Sequence, residues 1–391
     1  MTYRILTLDG GGSWALLQAM ALRALAGDLP GRQILSRFDL AVANSGGSIV
    51  LGALIKDLKP TDIVALFRDG AQRQRIFKPL SFFEGFAGEN LGVGPKYGTN
   101  DKRDGIAGVL GPLADTPMKD LPPITGPSGG PVGLAIIGFD YDRLRATFFR
   151  NYATPAGSEA SPVPLADAIN ASSTAPVNYF DKPAKCGDRR YWDGAIAGYN
   201  NPLLAAAVEA LVLGAAPGDI RALSLGTGSV RLAPRDNRAA RDGLREPHGQ
   251  PNLKDDLAKL AASIIDDPPD AASYTAYVVL GNSPAAPPGS HSGSIVRLSP
   301  SVQPVLRGGN WAAPAGLPDK LFDALRDAPT DAVKDETVGQ IAQLGELWIG
   351  GQVPNQPVRM NGDTLGCDLG DATFAAGAQR WQAFSGAPAI A

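Results

Sequence analysis

Apolar positions recur along this chain with two different spacings, and the changes from one to the other mark its elements. Tyr3 to Leu8 is short, apolar and partly alternating, stops at Asp9-Gly10-Gly11-Gly12, and is followed by Leu16, Ala19, Met20 and Leu22 at helical spacing within residues 15–25. This predicts a strand, a glycine loop and a helix. Phe38 to Ala43 is a second apolar run, broken by Asn44-Ser45-Gly46-Gly47, after which Ile49, Val50, Ala53 and Leu54 return with helical period. Two such units in succession predict an open α/β fold, with a mostly parallel central sheet covered by helices on both faces.

Residues from about 72 to 130 read differently. Phe77, Phe82, Phe83, Phe86 and Tyr97 stand among basic residues, and many glycines and prolines follow, so an insertion or cap is expected there. Pro131 to Tyr141 and Arg145 to Tyr152 resume strand patterning and are expected to pair. Asn201-Pro202 suits a helix start, leading an alanine-rich helix to about Leu213, and Ile220 to Leu225 reads as a buried strand. Ser229 to about Asn252 is charged and aperiodic, which predicts an exposed loop. Beyond it, Tyr274 to Leu280 and Ser294 to Leu298 read as short strands. A helical period runs from Leu321 to Trp348 through Val338, Ile341 and Leu344. The organisation expected is one domain over residues 1–391, with a core at about 3–230, the insertion at 72–130, and C-terminal elements from about 253 packed on that core.

Composition narrows the function. With 36 Lys+Arg against 39 Asp+Glu the chain has no field to gather nucleic acid, and no nucleic-acid partner is expected. Cys186 and Cys367 lie far apart without metal-ligand spacing, so no disulfide framework and no metal are expected. No signal peptide is visible, and no stretch reaches the roughly 20 apolar residues that cross a bilayer. The expectation is a cytoplasmic protein with membrane contact from one side at most. Phe77, Phe82, Phe83 and Phe86 with Arg73, Arg75 and Lys78 could form an interfacial cap. A core-packed insertion is the favoured alternative, because aromatics are more often buried than membrane-facing.

Ser45 stands between an apolar strand and a helix, with small residues at Ala43 and Gly47. A strained strand-to-helix elbow needs that pattern, and it places helix N-terminal amides where an oxyanion would form. An ordinary tight turn fits the same residues. Three glycines after Asp9 can expose amides in an anion-binding nest, which serves an oxyanion hole, a phosphate cradle of the actin-like kind, or a plain turn. A serine needs a base, yet the chain has only His248 and His291, both in polar segments. Asp193, in Tyr191-Trp192-Asp193-Gly194-Ala195, is the alternative base if burial raises its pKa, although an isolated Asp-Gly is more often a turn.

The ordered set LTLDGGGSWALL, FDLAVANSGGSIVLGAL, LADAINASSTAPVNYF, YWDGAIAGYNNPLLAA and IRALSLGTG resembles the patatin-like phospholipase family over roughly residues 3–230. GELWIGGQVPNQPVR is similar to C-terminal regions of its bacterial members. The resemblance implies a lipid acyl hydrolase working on fatty-acyl esters without cofactor or metal. In it Ser45 is the nucleophile, Asp193 completes a Ser-Asp dyad, and Gly10, Gly11 and Gly12 form the oxyanion hole, with the Gly46 amide added from its place after the serine. It also implies that residues 171–180 supply backbone near the site and no chemistry of their own. Two positions depart from the family pattern. Trp14 replaces the usual basic residue two positions after the third glycine, which is expected to alter the mouth of the site or its lipid preference, and Ala43 replaces a glycine.

Overall fold

In a computed structural model of the chain, the described residues are 2–76, 96–176, 179–228, 268–282, 293–302, 305–307, 310–326, 328, 331–356, 358–360 and 367–385. The main sheet contains β1 (Tyr3–Leu8), β2 (Leu40–Asn44), β3 (Gly133–Asp140), β4 (Arg145–Arg150), β5 (Ala184–Cys186), β6 (Arg189–Asp193), β7 (Ile220–Leu225) and β8 (Ile295–Leu298). They run in the order β5-β6-β3-β2-β1-β7-β8, with β4 also paired to β3. The five central strands from β3 to β8 are parallel, whereas β4, β5 and β6 join antiparallel at one side.

Alternate residues of each central strand enter different cores, which makes the fold three-layered. Leu6, Leu8, Ala41, Ala43, Leu134 and Ile136 face a large core built with the helices Leu16–Ala26, Gly46–Ile55, Thr99–Leu110, Leu165–Ser172 and Asp335–Ile349. Ile5, Leu40, Val42, Ala135 and Ile137 face a second core with Leu203–Val212 and Pro268–Val279. The predicted mostly parallel sheet with helices on both faces is therefore observed.

Two elements differ from expectation. Tyr274 to Leu280 is not a strand: it lies in and just after the helix Pro268–Val279. Tyr274, Tyr277 and Leu280 recur every three residues and are buried together, and Pro268-Pro269 supplies the helix-start chemistry that a reading begun at Tyr274 misses. The period from Leu321 to Trp348 belongs to two helices, Asp319–Arg326 and Asp335–Ile349, and the turn between them carries Asp331, Ala332 and Val333 against the glycine loop. The expected loop at 229–252, both histidines, and Phe77, Lys78, Phe82, Phe83 and Phe86 lie outside the described residues. Among the described residues, no helix is long and apolar enough to cross a membrane.

Candidate active site

Strand register brings the two candidate reactive side chains together. On one edge of β3, β2 ends with Asn44 opposite Ile137, and β6 ends with Asp193 opposite the next residue, Gly138. The opposite edge over the same residues is taken by β4. The ends of β2 and β6 therefore abut, and residues 149 positions apart touch: the Asn44 side-chain amide donates to Asp193 Oδ1 at 3.0 Å. Gly194 belongs to this contact, since a Cβ there would stand 2.4 Å from Asn44 Oδ1 and 2.8 Å from the Ile137 carbonyl. The Asp-Gly pair thus serves a close approach here.

Ser45 follows Asn44 at the start of the helix Gly46–Ile55 with φ 49° and ψ −124°, a left-handed conformation that costs a non-glycine residue about 1–3 kcal/mol. Its amide donates to Ser172 Oγ at 2.9 Å, and its carbonyl accepts from the Ser48 hydroxyl at 2.6 Å and the Ser48 amide at 2.9 Å. Ser45 and Asp193 line the same cleft. Asp193 is only 4% exposed, and burial raises its carboxyl above the ordinary value against the opposing pull of Ser45, the Ala195 amide, Asn44 and Lys102.

The glycine loop is fixed from several sides. The Gly10 amide donates to the Asn200 carbonyl at 2.8 Å, and the Thr227 hydroxyl donates to the Gly10 carbonyl at 2.8 Å. The Gly10 N–H is thereby engaged by Asn200. Gly11, Gly12 and Gly46 line the same cleft as Ser45 and Asp193. A Cβ on Gly46 would stand 2.5 Å from the Gly12 carbonyl and 2.8 Å from its amide, so the loop and the helix start can meet only through glycine. The amides of a helix's first turn lack i−4 partners, and Gly46, the first residue of this helix, lines the cleft. Below the loop, Arg297 donates to both oxygens of Asp9 at 2.8 and 2.5 Å and to Ser224 Oγ at 2.8 Å. With its carboxylate held there, Asp9 is not available to a nucleotide at the glycines.

Several side chains with a part in the site gave no signal in the sequence. Lys102, fully buried on the helix Thr99–Leu110, donates to the Asn170 carbonyl, Ser173 Oγ and Thr174 Oγ1 at 3.1, 3.1 and 2.7 Å, with its Nζ 4.0 Å from the Phe180 ring centroid. Ser173 and Thr174 already donate their single hydroxyl protons to the Ile169 and Asn170 carbonyls. Toward Lys102 all three oxygens can only accept, and three donated protons require the ammonium form. Burial pushes the Lys102 pKa far down and Asp193 draws it back up; donor counting decides for the charged state. The Thr174 backbone carbonyl in turn accepts from the Asp193 amide at 2.8 Å. Residues 171–180 thus contribute the side chains of Ser172, Ser173 and Thr174 as well as backbone, which corrects the backbone-only expectation.

Trp14 is 4% exposed and packs in the large core. A further expectation is corrected. Arg73 does not belong to an interfacial surface, because it is 2% exposed, donates to the Phe67 and Val333 carbonyls, and pairs with Asp335.

The cleft encloses about 560 Å³ of empty space including its open mouth. Its walls are apolar at Ile49, Ala175, Tyr179, Phe180 and Ala195, and polar at Lys102, Asn200 and Asp331. Among the described residues no group of His, Cys, Asp and Glu could hold a metal ion. A three-layer α/β sheet with an elbow serine against a buried carboxylate defines the class of the serine-hydrolase scaffolds. Residues 6–207 match the family model described as patatin-like phospholipase, and the chain belongs to that family, one of lipid acyl hydrolases. Among solved structures, VipD from Legionella pneumophila is similar at 10% identity and a TM-score of 0.36, over 88% of this chain and 67% of that one. A search of curated proteins finds no match.

Proposed function

We propose that the protein hydrolyses fatty-acyl esters of lipids through a Ser45–Asp193 dyad. The observation that carries this reading is that Ser45, at a strained strand-to-helix turn, lines the same cleft as Asp193, a buried carboxylate whose proton affinity burial raises in the direction a general base needs. Ser45 Oγ attacks the ester carbonyl carbon while its proton passes to Asp193. The carbonyl π pair moves onto oxygen, which accepts hydrogen bonds from the Gly11, Gly12 and Gly46 amides. Collapse expels the alcohol, which takes the proton from Asp193 and leaves the acyl group on Ser45. Water, losing its proton to Asp193, then attacks the acyl carbonyl, and the fatty acid leaves as the proton returns to Ser45. Ile49, Ala175, Tyr179, Phe180 and Ala195 form a wall suited to an acyl chain drawn from a micelle or bilayer surface.

The test uses the full chain with a fluorophosphonate probe and p-nitrophenyl octanoate. Wild type is labelled at Ser45 and turns over. Ser45→Ala loses both properties, and Asp193→Asn loses turnover by about 10²–10⁴-fold, the usual worth of a positioned base. Full activity in both variants ends the dyad assignment, and an unlabelled wild type leaves a non-catalytic lipid-binding protein.

A further inference from the structure

Asp331 stands in the turn between the helices Asp319–Arg326 and Asp335–Ile349, beyond the stretch that matches the family. It nevertheless lines the same cleft as Ser45. The turn is pinned on two sides: the Ser13 hydroxyl, next to the glycine loop, donates to the Ala332 carbonyl at 2.8 Å, and buried Arg73 donates to the Val333 carbonyl at 3.3 Å. A wall held this way does not drift out of the cleft to be solvated.

The carboxylate is only 4% exposed. One oxygen, Oδ2, lies 3.6 Å from Lys96 Nζ. Burial and Asp331 push the Tyr97 phenol pKa upward, so the phenol remains protonated. Oδ1 has no hydrogen-bond partner among the described residues. A buried acceptor without a donor costs about 1–3 kcal/mol, more when charged, so an orphaned oxygen on a cleft wall marks where a ligand's donor belongs.

Resting on the hydrolase reading above, we propose that Asp331 is a specificity residue whose Oδ1 accepts a hydrogen bond from a hydroxyl on the alcohol part of the ester, so that hydroxylated esters of the glyceryl type are preferred over plain alkyl esters. The neighbours support a donor in that place and oppose an acceptor. A bound phosphate there would face the carboxylate, and the fully buried cation that lines the cleft, Lys102, has already spent its three protons on Asn170, Ser173 and Thr174.

The experiment compares glyceryl monooctanoate, propyl octanoate and octanoylcholine, which share an acyl chain and differ in offering hydroxyls, no polar group, or a cation without a donor. Ratios of kcat/KM between esters do not depend on how much of a variant is folded. Wild type should favour the glyceryl over the propyl ester by about 10-fold, the worth of one hydrogen bond to a charged acceptor. Asp331→Ala should bring that ratio to near one, and the isosteric Asp331→Asn, which keeps a weaker neutral acceptor, should give an intermediate ratio. A ratio unchanged in whichever of these variants folds, or a wild-type preference for octanoylcholine, overturns the proposal. The same pair of octanoates is titrated calorimetrically against full-length Ser45→Ala with and without Asp331→Ala. The affinity ratio needs no turnover, so it decides the role of Asp331 even where hydrolysis fails.

Discussion

Replacing Lys102 by methionine keeps an unbranched side chain of similar length while removing one positive charge and three donors. The Asn170 carbonyl, Ser173 Oγ and Thr174 Oγ1 each lose an acceptor contact. Ser173 and Thr174 keep the bonds in which they donate, and the Asn170 carbonyl still accepts from the Thr174 hydroxyl, so none of the three groups is left without a partner. One buried group losing a partner costs about 1–3 kcal/mol, and relief from burying an ammonium offsets part of the total, so a net loss of about 1–3 kcal/mol in unfolding free energy is expected. The effect on activity has a definite sign. Lys102 lowers the Asp193 pKa through space; without it the carboxyl rises further, less of the ionised base exists at a given pH, and the acidic limb of kcat/KM moves to higher pH. Hydrolysis of p-nitrophenyl octanoate by wild type and Lys102→Met across the acidic and neutral range reads that limb, and urea denaturation reads the stability. A limb that stays in place or moves to lower pH, in a variant that folds, would refute the electrostatic argument, since a residue that merely packs the helix leaves the limb alone.

Asp193→Asn should be inactive and yet more stable than wild type at neutral pH. A carboxyl whose pKa is raised by folding contributes stability that is present at low pH and lost as pH rises through the folded value. The advantage of the amide should therefore appear at neutral pH in urea denaturation and vanish in acid, and a variant less stable at neutral pH counts against the assignment of burial as the cause. Arg297→Met should lower stability by about 3–5 kcal/mol, because it leaves Asp9 buried without its bidentate partner. Adding Asp9→Asn should recover most of that loss, and a single-variant cost under about 1 kcal/mol would show the pair to be dispensable.

What the sequence could disclose was whatever is encoded locally. The two strand–loop–helix units were legible because apolar period changes sharply at Gly10-Gly11-Gly12 and at Asn44-Ser45. The antiparallel pair β3 and β4 was legible because its strands are adjacent in the chain. Lys102 was not, because in Thr99-Asn100-Asp101-Lys102-Arg103-Asp104 it reads as one more solvated charge, and only the packing of the helix Thr99–Leu110 on Leu165–Ser172 buries it. Arg297 was hidden for a related reason: its partner Asp9 is 288 residues away, so the charge inside a buried strand had no visible counterpart. Asp331 lay inside what read as one continuous helical period, which concealed the turn that delivers it to the cleft.

The placement of the candidate dyad at abutting strand ends has a consequence for which changes the site can tolerate. Side chains alternate between the faces of a sheet, so moving β6 by one residue against β3 would turn Asp193 to the opposite face and bring Trp192 to the place beside Asn44. Nothing in a loop could restore the contact. The cleft wall at Tyr179, Phe180 and Asp331 is different in kind, since these residues come from connections that can change length or residue without disturbing β2, β3 or β6. Selection on substrate preference can therefore act on that wall while the register of three strands holds Asn44 and Asp193 in contact, and Asp331 is an instance of a polar group supplied from outside the matched domain.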